Sequence, residues 1–169
     1  ALAAAGDPLR KLAASAGQSA IFNAVLDARA ATGLLHRVRP GDIACTTRGA
    51  PFTVTAEDVD DVCRRAAPGT LDAFATGPLP GDARMQPEPA VLAEEHAWSA
   101  ATGVDWSWFS GSAPLASPGE RRPLLFVFKE PPRFEPGEPA WLEFALPSGA
   151  YATEVLDQLG VAIPADRRG

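Results

Sequence analysis

Residues 43–54 read IACTTRGAPFTV, and this stretch bears most directly on the fold. Its two ends are rich in residues that favour β-strands, and the Arg-Gly-Ala segment between them contains the glycine that tight connections use. A Pro-Gly pair at 40–41 marks a turn just before the first run. The pattern predicts a β-hairpin with strands at 43–47 and 52–54, joined by a loop at 48–50.

Helical patterns flank the predicted hairpin on both sides. Upstream, apolar residues recur at three- and four-residue intervals from 8 to 31, which predicts a long amphipathic helix, interrupted or bent near Gly17. Downstream, we expect Thr55 to cap a second helix, because its side-chain oxygen can accept hydrogen bonds from the first-turn amides. Pro68 and Gly69 follow that helix and end it.

The middle of the chain alternates rigid and helical segments. Residues 76–81, TGPLPG, contain two prolines and two glycines, which predicts a loop of specified shape. Residues 89–101 then predict a helix that ends at Gly103, with Glu94 and Glu95 in solvent near its start. Residues 110–119 are rich in Ser, Gly, Ala and Pro and are typical of a connector between domains.

In the last third of the chain, the apolar residues no longer recur at helical intervals but form nearly continuous runs. Nearly continuous apolar runs at 124–128 and 141–146 predict two strands of one buried sheet, joined by a proline-rich turn at 130–139. The chain then passes into a final helix, which we expect to be capped by Ser148 or Gly149 and to end at Gly160.

The composition excludes several classes of protein. The chain of 169 residues carries 15 basic and 21 acidic side chains, a net charge of −6, so by itself it is not an electrostatic clamp for nucleic acid. No apolar run approaches the ~20 residues that span a bilayer, and the first residues lack the pattern of a signal peptide, so we expect a cytoplasmic protein. The spacing of the two cysteines and of the two histidines predicts no metal site.

Three patches together resemble the TruD family of tRNA pseudouridine synthases. The first is SAIFN at 19–23, which is similar to the family's Ser-x-x-Phe-Asn helix. The second is TGPLPG at 76–81 with the acidic helix that follows it. The third is the pair GERRPL at 119–124 and LPSGAYAT at 146–153, similar to the family's GxRRPL strand start and LPxGSYAT turn. These motifs occur in the family's order and cover roughly 150 residues.

The resemblance implies an α+β fold and a carboxy-terminal half. Residues 9–112 would form most of the family's inserted α/β domain, and residues 118–164 would return as strands and a helix to the mixed, largely antiparallel sheet of the catalytic domain. The start at Ala1, without Met and inside a helical pattern, favours a partial chain. The family isomerises uridine to pseudouridine in tRNA, typically at position 13, without a metal or an organic cofactor.

The family's catalytic aspartate has no counterpart in this sequence. It lies in a Gly-x-Lys-Asp-Arg type motif, whereas the two lysines here, Lys11 and Lys129, are followed by Leu and Glu. We therefore assign no catalytic residue within this chain, and we expect the chain alone to be inactive. The implied partners are tRNA and the amino-terminal half of the same enzyme, with no membrane and no DNA, and we expect a monomer.

Six residues are candidates for substrate binding. Arg121 and Arg122 come just before a predicted buried strand, where each could reach a phosphate or an ion-pair partner, or keep the missing aspartate ionised. Tyr151 could stack on an extruded base or cap the sheet. Three arginines around the predicted hairpin are candidates for phosphate contacts: Arg37, Arg39 and Arg48. We expect Phe22 and Asn23 to be structural, with Asn23 hydrogen-bonded to a neighbouring loop.

Two other classes of function stay open at this point. One is a non-catalytic RNA-binding or protein-interaction module of the same ancestry. The other is a small-molecule-binding α/β domain, which a closed apolar pocket lined by Trp98, Trp106 and Trp108 would favour. The cluster of Trp106, Trp108 and Phe109 could stack on bases or fill a gap between layers, and the second interpretation is the simpler one.

Overall fold

A computed structural model of the chain describes residues 6–47, 50–128, 130–146, 150 and 152–161. Its internal contacts divide the chain between Leu125 and Phe126 into two compact units. The expected domain ranges, 9–112 and 118–164, stay predictions. They came from the family resemblance, whereas the two units are defined by contacts within the structure and do not test those ranges. The first unit contains every arginine candidate that the structure describes.

An antiparallel sheet of four strands organises the first unit, in the order β2-β1-β3-β4. The strands span Ile43–Thr46 (β1), Pro51–Thr53 (β2), Ala73–Leu79 (β3) and Glu120–Pro123 (β4). The predicted hairpin is confirmed, with Ala44 opposite Phe52. The sheet therefore joins strands that are distant in sequence, since β4 follows β3 by some forty residues.

Strand β3 corrects the prediction of a loop at 76–81. Its seven residues are all buried, and it pairs with β1 through Ala73–Ala75 and with β4 through Thr76–Leu79. Pro78, which cannot donate a backbone hydrogen bond, lies beyond the part of β3 that pairs with β1, so its missing donor is tolerated. Two-sided burial outweighs the local preference of a Gly-Pro segment for a turn.

Helix α1 (Asp7–Ala31) is continuous, so of the two alternatives predicted near Gly17, an interruption or a bend, the interruption is wrong. A Cβ at Gly17 would lie 2.9 Å from Cζ of Phe109, which is fully buried. The glycine therefore lets an aromatic ring pack directly against the helix backbone. The smaller of two core clusters forms there, from Ile21, Phe109 and Leu115.

Helices α2 (Val59–Ala66) and α3 (Pro89–Ser99) complete the unit. The prediction that Thr55 caps α2 is wrong: the Thr55 amide donates a 2.7 Å hydrogen bond to Asp58 Oδ1, and the helix begins after Asp58. Helix α3 has the predicted extent and passes through a 3₁₀ turn to Gly103, which adopts a φ of 68°. Helices α1 and α2 cover one face of the sheet, where the larger core cluster includes Val62, Ala44 and Ala75.

A tight backbone crossing marks the return of the chain to β4. A Cβ on Gly81 would lie 2.3 Å from the Ser117 carbonyl oxygen, and one on Gly119 would lie 2.9 Å from the Gly81 carbonyl carbon. The Asp82 amide donates to the Ser117 carbonyl at 3.0 Å, and Gln18 of α1 donates to Pro80 and Ser117. The predicted connector at 110–119 is thus packed against the end of β3.

The second unit differs from the prediction for the last third. Residues 124–128 follow β4 and contain no strand, while the predicted turn contains β5 (Arg133–Glu135), which pairs with β6 (Trp141–Glu143). These strands are mostly exposed, so the expected buried sheet is wrong for the described residues. Helix α4 spans Ala152–Gln158, whereas its predicted caps lie outside the described residues.

The α+β fold class is confirmed, because helices accompany sheets in which every pairing between described strands is antiparallel. Within the described part of the chain, no helix is long and apolar enough to cross a bilayer.

Candidate functional site

Arg121 of β4 is held in a dense network of hydrogen bonds. Its Nη1 and Nη2 donate to the two carboxylate oxygens of Glu95 at 2.8 and 2.6 Å, a bidentate pair. Nη2 also donates to the Thr76 carbonyl at 2.8 Å, and Nε donates to the Thr76 hydroxyl at 3.2 Å. The side chains of Arg121 and Glu95 are only 4% and 0% exposed. The ion pair therefore connects helix α3 to strands β3 and β4 in the interior.

This network corrects the interpretation of the acidic pair on α3. Glu95 is not at a solvated helix start but is fully buried, because the helix turns it toward β3 and β4. Glu94, one residue earlier, does lie at the surface and pairs there with Arg39. Helical geometry separates the two glutamates by about 100° around the axis, which accounts for their different surroundings.

Arg122 occupies the opposite face of β4. It pairs in register with Gly77, over which Phe22 and Leu124 pack, whereas Arg121 lies on the face of Thr76 and Glu95. Its side chain is 41% exposed and makes one long hydrogen bond, 3.4 Å, to Glu120. Of the two adjacent arginines, Arg122 is therefore the one with a guanidinium available for another partner.

The arginines around the hairpin also differ in whether their guanidinium groups have partners. Arg39 donates to Glu94 at 2.5 Å, and this hydrogen bond raises the pKa of the Arg39 guanidinium above its ordinary value. Arg37 is exposed, and its side chain makes no hydrogen bond to any described residue. Arg48 lies outside the described residues. Arg39 and Arg121 thus pair with consecutive residues of α3, Glu94 and Glu95, while the exposed Arg37 side chain has no partner in the part of the chain that the structure describes.

The last of the six candidates, Tyr151, also lies outside the described residues. Asn23 is exposed and has no hydrogen bond with the described part of the chain, so its predicted bond to a neighbouring loop is wrong. Phe22 is partly buried and packs against the larger core cluster, as expected.

Sequence reasoning missed a second buried ion pair. Arg29 of α1 donates to Asp42 at 3.0 and 2.8 Å, and both side chains are 1% exposed. Arg29 also donates to the Arg37 carbonyl, and Asp42 accepts from the Arg39 amide at 2.8 Å. The pair thus shapes the loop that presents Arg37 and Arg39. The sequence did contain a signal for this pair: Arg29 follows Ile21 and Val25 at intervals of four residues, so it lies on the buried face of α1.

A cavity of about 220 Å³ opens beside the Arg121 network. The end of β3, the middle of α3 and the 3₁₀ helix Trp106–Phe109 enclose it, and Arg121, His96 and Trp106 line it. Trp98 and Trp108 do not line this cavity, so it is not the three-tryptophan pocket that would favour a small-molecule-binding domain. Phe109 fills the core, as the simpler interpretation of the aromatic cluster expects.

The comparison with protein families decides the ancestry. The family model described as tRNA pseudouridine synthase D (TruD) matches residues 1–159. The chain belongs to the TruD family. The resemblance inferred from the sequence motifs is therefore confirmed.

Individual members of the TruD family agree with this result. The chain is 38% identical over 152 residues to a tRNA pseudouridine synthase D from Geobacter metallireducens, which covers 89% of this chain and 36% of that protein. A relative with the same name from Aeromonas salmonicida is 33% identical over 159 residues, covering 93% and 43%. A solved structure from Methanosarcina mazei, described as a TruD protein, matches with a TM-score of 0.64 and 33% identity over 83% of this chain and 36% of that one.

The chain therefore spans about two fifths of the length of these TruD relatives.

Proposed function

We propose that this chain is part of a tRNA pseudouridine synthase that acts in the cytoplasm, and that the catalytic aspartate lies in another part of the same enzyme. The observation that supports this most strongly is the match to the TruD family over residues 1–159. The reaction breaks the N1–C1′ bond of uridine and forms a C5–C1′ bond, while C5 loses a proton and N1 gains one. No lysine of this sequence precedes an aspartate, so this chain supplies residues around the reaction and not its carboxylate.

We assign to Arg122 the role of holding that carboxylate in its ionised form. An arginine within ~4 to 6 Å lowers the pKa of a carboxylate by 1 to 3 units, because the cation favours the charged form. Arg121 is unsuited to this role, since Glu95 and Thr76 already occupy four of its N–H groups. Arg122 is half-exposed and its one bond to Glu120 is long, which leaves its charge available.

Phosphate contacts are assigned by the same criterion of available charge. Arg37 is exposed and unpaired among the described residues, so it is the hairpin arginine best placed to meet an RNA phosphate. Arg39 would first have to exchange Glu94 for a phosphate. Arg48 and Tyr151 keep their predicted roles in phosphate contact and base stacking.

The second unit supports the proposal that residues 118–164 belong to a larger catalytic sheet. Phe134 and Trp141 lie on its two-stranded sheet and are 65% and 67% exposed. Isolated two-stranded sheets are marginally stable. Large exposed apolar side chains mark surfaces that another part of a protein, or a partner, covers. The remainder of the enzyme is the occupant we propose, and tRNA and this remainder are its proposed partners.

Tritium release tests the proposed function. The 169-residue chain is assayed alone and after mixing with a separately expressed amino-terminal part of the same protein, using tRNA tritiated at uridine C5. Because C5 loses its hydrogen only when C5–C1′ forms, we expect release from the mixture and not from the chain alone. Tritium release from the chain alone would contradict the assignment of the aspartate. No tritium release from either sample, with weak and salt-sensitive tRNA binding retained, would favour the non-catalytic RNA-binding module.

Arg122→Met in the mixture tests its assigned role, with Arg37→Met as the matched control. We expect Arg122→Met to lower kcat by at least about tenfold and to shift the acidic limb of the pH profile upward, because the carboxylate then protonates at higher pH. Arg37→Met should mainly raise KM, since an exposed phosphate contact contributes to binding. Equal effects of the two variants on kcat would refute the distinction.

A further inference from the structure

The cavity beside Arg121 has an aromatic wall that the proposed chemistry does not use. His96 of α3 stacks on Trp106, with ring centroids 4.0 Å apart and planes inclined by 30°. The indole Nε1 of Trp106 donates to the Ser99 hydroxyl at 3.0 Å, which fixes the ring that supports His96. Trp106 covers one face of the imidazole. Because His96 is an exposed residue that lines the cavity, we expect the opposite face of its imidazole to be accessible from the cavity.

The short helix that carries Trp106 is itself fixed in place. Asp105 caps it by accepting a 2.8 Å hydrogen bond from the Ser107 amide, and this bond lowers the pKa of the Asp105 carboxyl. Phe109, three residues after Trp106, is fully buried under α1. The stack of His96 on Trp106 is therefore a preorganised platform, and a ligand that uses it pays little to order it.

The remaining walls carry polar groups beside apolar ones. Gln86, Ser107 and Ser110 line the cavity together with Leu79, Pro80 and Leu92. Arg121 also lines it, and one of its five N–H groups has no partner among the described residues. Planar heteroaromatic rings need this combination, since they bind by stacking on their faces and by hydrogen bonds on their edges.

The size of the cavity limits the ligand to one ring system. Pockets that enclose a drug-sized molecule measure about 300 to 1,000 Å³, whereas this cavity measures about 220 Å³. One nucleobase fits this volume, with its ribose and phosphate left at the mouth. Stacking on an aromatic side chain is also a recurring way in which proteins hold an unpaired RNA base.

We propose that the cavity binds one unpaired base of the RNA, stacked on the open face of His96. This inference rests on the proposed function, because it takes the ligand from the RNA substrate. We infer that this base is not the one being isomerised, because Arg122, which we assign to the catalytic carboxylate, lies on the face of β4 opposite to Arg121, which lines the cavity. It would thereby fix the orientation of the tRNA on the first unit.

The test measures the affinity of the 169-residue chain for a short single-stranded oligouridylate and for the same oligomer made of abasic riboses. We expect His96→Ala to raise Kd for the oligouridylate by about 5- to 150-fold, the loss that alanine substitution at a base-stacking aromatic gives. His96→Phe should keep most of the affinity, because phenylalanine preserves the stack. Trp108→Ala is the matched control: Trp108 is 44% exposed on the same short helix but lies outside the cavity.

Three results would overturn the proposal: an unchanged Kd for His96→Ala, the same loss with the abasic oligomer, or an equal loss for Trp108→Ala. Protection of His96 from diethylpyrocarbonate tests it on the unaltered chain. We expect the oligouridylate to protect His96 and the abasic oligomer not to, and equal modification with both would overturn the inference. Since these experiments measure binding alone, a failure here with tritium release intact refutes the base site and leaves the proposed function standing.

Discussion

The buried ion pair between Glu95 and Arg121 makes the sharpest prediction about stability. Glu95→Gln keeps the size of the side chain and removes its charge, which leaves the Arg121 guanidinium in the interior without a counter-ion. Both side chains are at most 4% exposed, so water cannot solvate the remaining charge. Removing one partner of such a pair typically costs about 3 to 5 kcal/mol.

The preceding residue on the same helix is the matched control. Glu94 pairs with Arg39 at a similar distance, but their side chains are 46% and 33% exposed. Exposed pairs contribute about 0.2 to 1 kcal/mol, because water and salt screen both charges. Glu94→Gln should therefore lower the free energy of unfolding by under about 1 kcal/mol, a difference of at least about 2 kcal/mol between adjacent substitutions of the same kind.

Urea denaturation followed by tryptophan fluorescence measures both values. The experiment is done in a Trp141→Phe background, because the remaining tryptophans all belong to the first unit. The double variant Glu95→Leu with Arg121→Met should be more stable than Glu95→Gln, since it removes both buried charges at once. The reasoning is refuted if Glu95→Gln and Glu94→Gln have free energies of unfolding within about 1 kcal/mol of each other.

Three further predictions concern the stability of the first unit. Gly119→Ala should cost about 2 to 6 kcal/mol in urea denaturation, because its φ is 63° and its Cβ would meet the backbone of the crossing strand, whereas Gly69→Ala meets nothing and should cost about 1 to 3 kcal/mol. Gly17→Ala should destabilise α1 despite the better helix propensity of alanine, because the methyl group clashes with Phe109, and adding Phe109→Leu should recover part of the loss. Burial raises the pKa of the Cys45 thiol to about 11, while an unfolded thiol has a pKa of about 8.5. The unfolded state therefore loses its proton first, and stability should fall by up to about 3 kcal/mol between pH 8.5 and 11. A Cys45→Ala variant that shows the same fall would contradict this cause.

Elements with a strong local signal were predictable from the sequence. The hairpin of β1 and β2 follows from β-favouring residues on either side of a glycine, and α1 and α3 follow from their apolar spacing and their proline starts. In these segments the local preference and the tertiary environment agree, so a single-sequence pattern is enough.

Strand β3 and the strands of the second unit could not be predicted from local sequence patterns. TGPLPG has the composition of a loop, yet pairing with β4 makes its first four residues a strand. A proline-rich segment likewise contains β5, because its partner β6 supplies the hydrogen bonds. Strands are stabilised by distant residues, and propensity does not identify those residues.

For the candidate site, the sequence alone determined the family and the candidate arginines. The tertiary structure decided which of these arginines is buried in an ion pair and which is exposed. The motifs around TGPLPG and GERRPL were enough to identify the TruD family, and they singled out two adjacent arginines, which were expected just before a strand and which the structure places within β4. Only the fold separates them: Arg121 pairs with a buried glutamate, whereas Arg122 faces the other side of the strand, is 41% exposed and has one long bond to Glu120. The physical reason is that successive strand residues point to opposite faces, so the role of each depends on which elements pack there.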